Sequence, residues 1–359
     1  MVEAQDHRMS EAEIARLAVH FEGVMPGYDR SESGMRKLAS DLDLTPDETA
    51  EWPRSRDGAV QGVVCAATVD GAERPWTVLQ DHHGVRVALS RITGGARTHA
   101  EEFRRVAAAV QGILRTPDHF GTYANGRIGC GEAWGTPYLR WRGKYATVEL
   151  RAGASGPELV SDFTDLWEED YRDDMARNPT GFIGTFSGDV LLDVPAARAS
   201  DLGEFTEALA ALFSRLPAET LALGVSLTLG LFGTVTREDG TDTSPLMFDI
   251  RSGERLHLGY CAPGGVAEAG SGERVAALGW EPTNPETLRG GPELEYFDAP
   301  WYFDGGGPGE TRAHDAAALI VRTAKAAGVR RVGDLALGGE AEQQGRAYYR
   351  FPGLRLKTV

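Results

Sequence analysis

Three short segments of this sequence contain residue types that could perform chemistry. A histidine precedes two glutamates in His99-Ala100-Glu101-Glu102, carboxylates crowd the segment 168–174, and glycines crowd the segment 305–309. The first pattern suggests a zinc hydrolase, the second a divalent-ion or acid/base site, and the third a phosphate-binding loop. Each of these functions also needs partner residues at a fixed spacing.

Those partner residues are missing. A zinc hydrolase helix needs a second histidine four positions after the first, and Phe103 stands there. His82 and His83 are adjacent, so a strand would point them to opposite faces. The glycine-rich segment 305–309 lacks the Lys-Ser/Thr ending of a phosphate loop. A solvated acidic helix face explains the carboxylates of 168–174. No serine or cysteine pairs with a histidine by motif, and we predict no catalytic residue, no metal site and no cofactor.

The net charge restricts the classes of binding partner, and the cysteine content restricts disulfide and zinc chemistry. The 37 lysines and arginines face 53 acidic residues, giving a net charge of −16. This charge repels nucleic acid and anionic lipid and suits a basic or amphipathic protein partner, although solubility alone also explains it. Three scattered cysteines favour buried thiols over a disulfide framework or zinc site.

Hydropathy gives no sign of a membrane or secreted protein. The longest apolar run, 221–235, is shorter than a membrane span and contains three glycines. The first nine residues include Glu3, Asp6, His7 and Arg8, without the basic and apolar regions of a secretory signal. We therefore expect a cytoplasmic location and no membrane partner.

Periodicity places the helices and strands of the first half. Ser10 with Glu13 forms a capping-box pattern before an apolar stripe, which predicts a helix that ends near Gly23 and Pro26. Apolar spacing predicts further helices over 31–44 and 98–114, the latter capped by Thr98. Alternation and turn residues predict strands over 60–69, 76–80, 85–92, 138–141 and 145–150.

The second half repeats this order of elements. A helix is predicted over 202–216, stopped by Pro217, and a last helix over 313–327, closed by Gly328. Strands are predicted over 188–194, 221–236, 245–250 and 256–261. The sequence thus predicts an α+β fold with two modules, each an antiparallel sheet backed by helices, at 10–165 and 201–359, joined by a connector at 166–200. The shared order suggests that the modules are related.

Aromatic residues cluster in a loop-rich stretch of the second module. They are Trp280, Pro282, Tyr296, Trp301 and Phe303, counting the proline that follows the first tryptophan. Such residues could line a groove that binds a partner, or they could close the second core over its sheet. We name them as candidate partner-binding residues.

Residues 203–340 resemble a known family. The segment Leu278-Gly279-Trp280-Glu281-Pro282, the helix 316–323, and the following Gly328-Val329 and Asp334-Leu335 resemble the actinobacterial TY-Chap domain, which is grouped with YbjN and the type III secretion chaperones. The chain departs from that pattern at 260–264, where the family usually has an asparagine-containing stretch. The first half is similar to an uncharacterised actinobacterial domain with an Arg-Trp-Arg strand like residues 140–142.

The resemblance implies a secretion-chaperone-like α+β fold and a non-enzymatic role in binding protein segments. We therefore predict a chaperone-like protein that binds a secreted or toxic partner through a sheet face or edge. One alternative is an immunity protein that blocks a toxin enzyme with carboxylates such as those at 168–174. Another is a metal-dependent hydrolase with a dispersed site. A homodimer is also compatible with the sequence.

Overall fold

The chain has two compact units. The computed structural model describes residues 6–56, 58–81, 84–122, 134–165, 181–183, 201–233, 246–253, 255–263, 271–282, 294–298, 311–338, 347–351 and 357–358. Unit 1 comprises Met1–Glu132 and Thr136–Arg177, and unit 2 comprises Ala133–Gly135 and Asn178–Val359. Antiparallel sheets backed by helices confirm the predicted α+β class. Most of the predicted connector 166–200 lies outside the described residues.

Unit 1 contains three helices and nine strands among its described residues. The helices are α1 (Glu11–Phe21), α2 (Glu32–Asp41) and α3 (Ala96–Leu114). The strands are β1 (His7–Arg8), β2 (Gly62–Val69), β3 (Ala72–Asp81), β4 (Gly84–Ala88), β5 (Ser90–Arg91), β6 (His119–Thr122), β7 (Pro137–Arg142), β8 (Ala146–Ala152) and β9 (Pro157–Phe163).

The helix starts follow local sequence signals to different degrees. The Ser10 side chain accepts a hydrogen bond from the Glu13 backbone N–H at 3.2 Å, so it caps α1 as predicted. Helix α3 starts earlier than predicted, because the His99 N–H already bonds to the Gly95 carbonyl at 3.2 Å. The predicted cap at Thr98 is therefore wrong, and Gly95 is the N-cap residue.

The main sheet of unit 1 combines strands that the sequence placed in separate groups. Within the unit its order is β6-β7-β8-β9-β4-β3-β2, and every neighbouring pair is antiparallel. Strand β9, which the sequence did not predict, pairs with β8 on one side and with β4 on the other. This strand joins the two predicted hairpin groups into one sheet.

The two faces of this sheet differ in chemistry. On one face Leu139, Leu150 and Leu159 stand opposite one another and are at most 3% exposed. Helix α3, whose own apolar stripe is buried, contacts β9. On the other face the cross-strand row runs His119, Arg140, Glu149, Val160 and Arg86. The first four side chains are buried, so this part of the polar face, like the apolar one, is closed to solvent.

A segment that precedes β2 covers the outer edge of that strand. The Asp47 N–H donates to the Val64 carbonyl at 2.7 Å, and the Ala66 N–H donates to the Thr45 carbonyl at 3.1 Å. Isolated bridges join Pro46 to Cys65 and Arg54 to Val60. Because these bonds occupy edge groups of β2, they protect that edge from pairing with another chain.

The described residues of unit 2 form three helices and a second sheet. The helices are α4 (Leu202–Leu223), α5 (Ser271–Leu278) and α6 (Thr311–Ala326), followed by a short 3-10 helix (Val332–Asp334). The strands are β10 (Gly181–Ile183), β11 (Leu227–Gly233), β12 (Leu246–Ser252), β13 (Leu256–Pro263), β14 (Glu281–Pro282), β15 (Leu294–Asp298), β16 (Leu335–Gly338), β17 (Ala347–Phe351) and β18 (Lys357–Thr358). The sheet order is β14-β15-β13-β12-β11-β16-β18, and β10 pairs with β17.

Helix α4 continues through the proline that was expected to stop it. Pro217 lies inside the helix, which ends at Gly224 in the left-handed conformation with φ 66°. The predicted strand start at 221 is therefore wrong, and β11 begins at Leu227. An interior proline costs roughly 3 kcal/mol, but burial of Leu216, Leu221 and their small neighbours offsets this cost. The predicted strand 188–194 lies outside the described residues.

None of the helices in the described ranges combines the length and the apolar character needed to cross a membrane.

Two helical glycines should respond oppositely to alanine. A Cβ on Gly34 in α2 would lie 1.9 Å from the Asp29 carbonyl oxygen, whereas a Cβ on Gly112 in α3 would meet no atom within 4 Å. We expect Gly34→Ala to destabilise by about 1–3 kcal/mol through the steric clash, and Gly112→Ala to stabilise by about 0.5–1 kcal/mol. The melting temperatures of the two variants should shift in opposite directions. Equal shifts would contradict the close contact at Gly34 and the open space at Gly112.

Candidate binding face of the second unit

Three of the five predicted partner-binding residues lie in the described part of the structure. The Trp280 side chain lies in the core of unit 2 and is only 2% exposed. Pro282 lies in β14 opposite Phe297, and Tyr296 lies in β15 opposite Cys261. Trp301 and Phe303 lie outside the described residues. Of this set, the structure therefore places Trp280 in the core, and the aromatic groove stays a prediction.

Trp280 occupies a specific place in that core. Its indole Nε1–H donates to the Thr323 Oγ1 at 2.7 Å, and its ring lies 6.1 Å from the Phe248 ring and 5.6 Å from the Tyr260 ring. Thr323 in turn donates to the Leu319 carbonyl within α6. The tryptophan therefore joins α6 to the sheet, and its role in this structure is to close the second core.

The sheet of unit 2 has one apolar face towards its helices. Leu229, Ile250 and Leu258 stand opposite one another across β11, β12 and β13 and are at most 2% exposed. Helix α4 contacts β12 and β13, and α4 also packs along α6. Because side chains alternate along a strand, the intervening residues must point to the opposite face.

That opposite face, which we call the outer face, combines a flat centre with charge. Gly230, Asp249 and Gly259 stand opposite one another, so among these three strands only β12 has a side chain beyond hydrogen in this row. Asp249 pairs with Arg251 two residues along β12, and the Arg251 side chain is 61% exposed. An arginine with this exposure is available to contact another molecule.

An aromatic residue borders the flat centre. A Cβ on Gly230 would lie 2.6 Å from Cε2 of Phe232, so the Phe232 ring lies over the glycine. The next cross-strand row passes through Phe232, Met247, Cys261 and Tyr296. Tyr296, one of the predicted binding residues, thus shares a register row with Phe232, although only the backbone position of Tyr296 is described.

The outer face can support contact chemistry. It offers a guanidinium and a carboxylate for hydrogen bonding, and a partly exposed aromatic ring for apolar contact. Sequence reasoning missed Phe232, Asp249 and Arg251. Their alternation with buried neighbours was a usable signal, but it did not tell which face of the strand the described helices would cover.

The histidine and glutamates at 99–102 lie in the first turns of α3. Glu102 is buried and pairs with Arg105 at 2.7 Å and with Arg8 at 3.5 Å. Burial lowers the pKa of His99, with a smaller opposing effect from Asp6. Within the described parts of the chain, no three His, Cys, Asp or Glu side chains lie close enough to hold a metal ion. His82 and His83 lie outside the described residues.

Comparison of the chain with models of protein families, with curated proteins and with solved structures found no match in any of the three.

Proposed function

We propose that this protein is a cytoplasmic, non-enzymatic protein-binding protein that acts like a chaperone towards a secreted or toxic partner. We place the contact on the outer face of the unit 2 sheet. The observation that carries the proposal is the arrangement of that unit: the apolar face packs on helices, while the outer face presents Arg251 paired with Asp249 and, over Gly230, the Phe232 ring.

Two further points support this function. The resemblance of residues 203–340 to the TY-Chap domain implies protein binding, and this range falls within unit 2. The net charge of −16 favours a basic or amphipathic partner. Sheet faces with a flat centre, charged side chains and an aromatic rim suit an extended or amphipathic protein segment.

Site-specific photocrosslinking tests this surface. We expect a benzoylphenylalanine at position 251 of the full chain, expressed in its own cells, to form a covalent adduct of one discrete mass. The matched control places the same probe at Lys325, which is exposed on the helix side of the unit. An adduct from position 251 and none from position 325 supports the proposal. Equal labelling from both positions, or none from position 251, contradicts it.

The mass of the adduct also distinguishes the type of partner. An adduct of two copies of this chain indicates a homodimer through the outer face. An adduct with a different protein indicates the chaperone-like or the immunity role. If this chain inhibits an enzymatic activity of that protein, the immunity role is favoured over the chaperone-like one. If instead a divalent ion raises the melting temperature of the full chain, the metal-dependent hydrolase gains support.

A further inference from the structure

A cleft in unit 1 is a second candidate binding site, independent of the proposed function. It has a volume of about 690 Å³ and lies between the end of α1 and helix α2. The side chains that line it include Met25, Pro26, Tyr28, Asp29, Lys37 and Asp41. Met25 is 44% exposed, one of few large apolar side chains that the described residues expose to this degree.

The walls of the cleft are fixed by buried residues of the sheet. The Ser161 hydroxyl donates to the Val24 carbonyl at 3.0 Å, and the Gln80 side-chain amide donates to the Tyr28 carbonyl at 2.7 Å. Both polar side chains are at most 4% exposed. The loop that carries Met25 is therefore held in place at Val24 and at Tyr28, on either side of Met25. The exposure of the Met25 side chain follows from this fixed loop position.

A cation of the chain itself occupies the polar end of the cleft. The Lys37 Nζ lies 2.6 Å from Asp41 Oδ2 and 5.5 Å from the centroid of the Tyr28 ring. The Tyr28 hydroxyl donates to the same Asp41 oxygen at 2.7 Å. Burial acts to raise the pKa of Asp41, but the hydrogen bonds from Lys37 and Tyr28 outweigh it and lower that pKa. Asp41 is therefore anionic at neutral pH.

The bond that holds Lys37 is weak enough to exchange. Its side chain is 67% exposed, and exposed ion pairs contribute at most about 1 kcal/mol. A second cation of the right shape could therefore displace the ammonium from Asp41 and from the tyrosine ring at small cost.

We propose that this cleft binds an arginine side chain of a partner polypeptide, which takes the place of Lys37. The guanidinium pairs with Asp41 and stacks on the Tyr28 ring, and Asp29 adds a second carboxylate at the rim. The aliphatic stem of the arginine packs on Met25 and Pro26. Arginine fits better than lysine because its planar group can both stack on the ring and donate two parallel N–H bonds to a carboxylate. The acidity of the whole chain favours a basic ligand.

Methyl NMR of the full chain tests this site. The six methionines can be labelled with ¹³C at their methyl groups, and Met25 is assigned by the signal lost in Met25→Leu. We expect N-acetyl-arginine amide to shift the Met25 signal with a Kd on the order of millimolar, as suits a single side chain. The neutral isostere N-acetyl-citrulline amide should leave this signal in place.

Three variants should change the Kd for N-acetyl-arginine amide in different ways. Asp41→Asn keeps the side-chain shape but removes the charge, and should raise the Kd by about tenfold. Lys37→Ala removes the internal competitor and should lower the Kd by about threefold. Lys144→Ala changes the net charge equally at an exposed residue of the same unit that does not line the cleft, and should leave the Kd unchanged. The proposal fails if arginine and citrulline shift Met25 alike, if Met25 does not shift, or if Lys37→Ala and Lys144→Ala have the same effect.

Discussion

Replacing Trp280 by alanine should destabilise unit 2 by about 3–5 kcal/mol, the usual loss for a large buried aromatic residue. The substitution removes ring contacts with Phe248 and Tyr260 and leaves the Thr323 hydroxyl without its indole donor. Trp280→Phe retains most of the buried area but loses the hydrogen bond to Thr323. We therefore expect it to destabilise by only about 1–3 kcal/mol, mainly through the lost bond and the unsatisfied Thr323 hydroxyl.

Hydrogen exchange read peptide by peptide locates this effect. We expect peptides from α6 to exchange faster in Trp280→Ala, because the tryptophan joins that helix to the sheet. Tyr145→Ala is a matched control, since this aromatic side chain is 62% exposed and its removal should change stability by less than about 0.5 kcal/mol. If Trp280→Ala left exchange unchanged and weakened partner binding, Trp280 would be a contact residue and our assignment to the core would be refuted.

The buried ion pair on the polar face of unit 1 should give the second large effect. Arg140 Nε donates to Glu149 Oε2 at 2.9 Å, and the side chains are 5% and 0% exposed. We expect Glu149→Leu alone to destabilise by about 3–5 kcal/mol, because it leaves a buried guanidinium without its carboxylate. The double variant Arg140→Met with Glu149→Leu should recover most of this loss, since it removes both charges.

An exposed pair in the same unit provides the control. Arg97 and Glu101 lie 2.8 Å apart on α3 with side chains about half exposed, so Glu101→Ala should cost no more than about 0.5 kcal/mol. Urea unfolding of the single and double variants measures these differences. Equal costs for Glu149→Leu and Glu101→Ala, or no recovery in the double variant, would be incompatible with a buried pair at this position.

Much of the local structure could be predicted from the sequence. The Ser10 cap of α1, the apolar stripe of α3 and the turn between β7 and β8 each depend on residues a few positions apart. Strand pairing could not be predicted in the same way. The pairing of Val87 with Leu159 joins distant parts of the chain, and no residue near either strand specifies it.

The candidate site, too, could be predicted from the sequence only in part. The aromatic cluster around Trp280 was visible in the sequence, but whether it faced a partner or the core depended on where α6 and β12 lie. The outer face was missed because glycines such as Gly230 and Gly259 carry no signal by themselves. Their meaning comes from the register that places them on either side of Asp249.

The amino-acid sequence alone determined the charge, the α+β class, most helices and the alternation of the strands, because these follow from composition and from spacings of two to four residues. The tertiary structure decided which residues became core and which became surface. Pro217 stays in a helix and Trp280 is buried because contacts between distant segments outweigh local preference. Those contacts depend on strand register and helix packing, which short-range spacing does not specify.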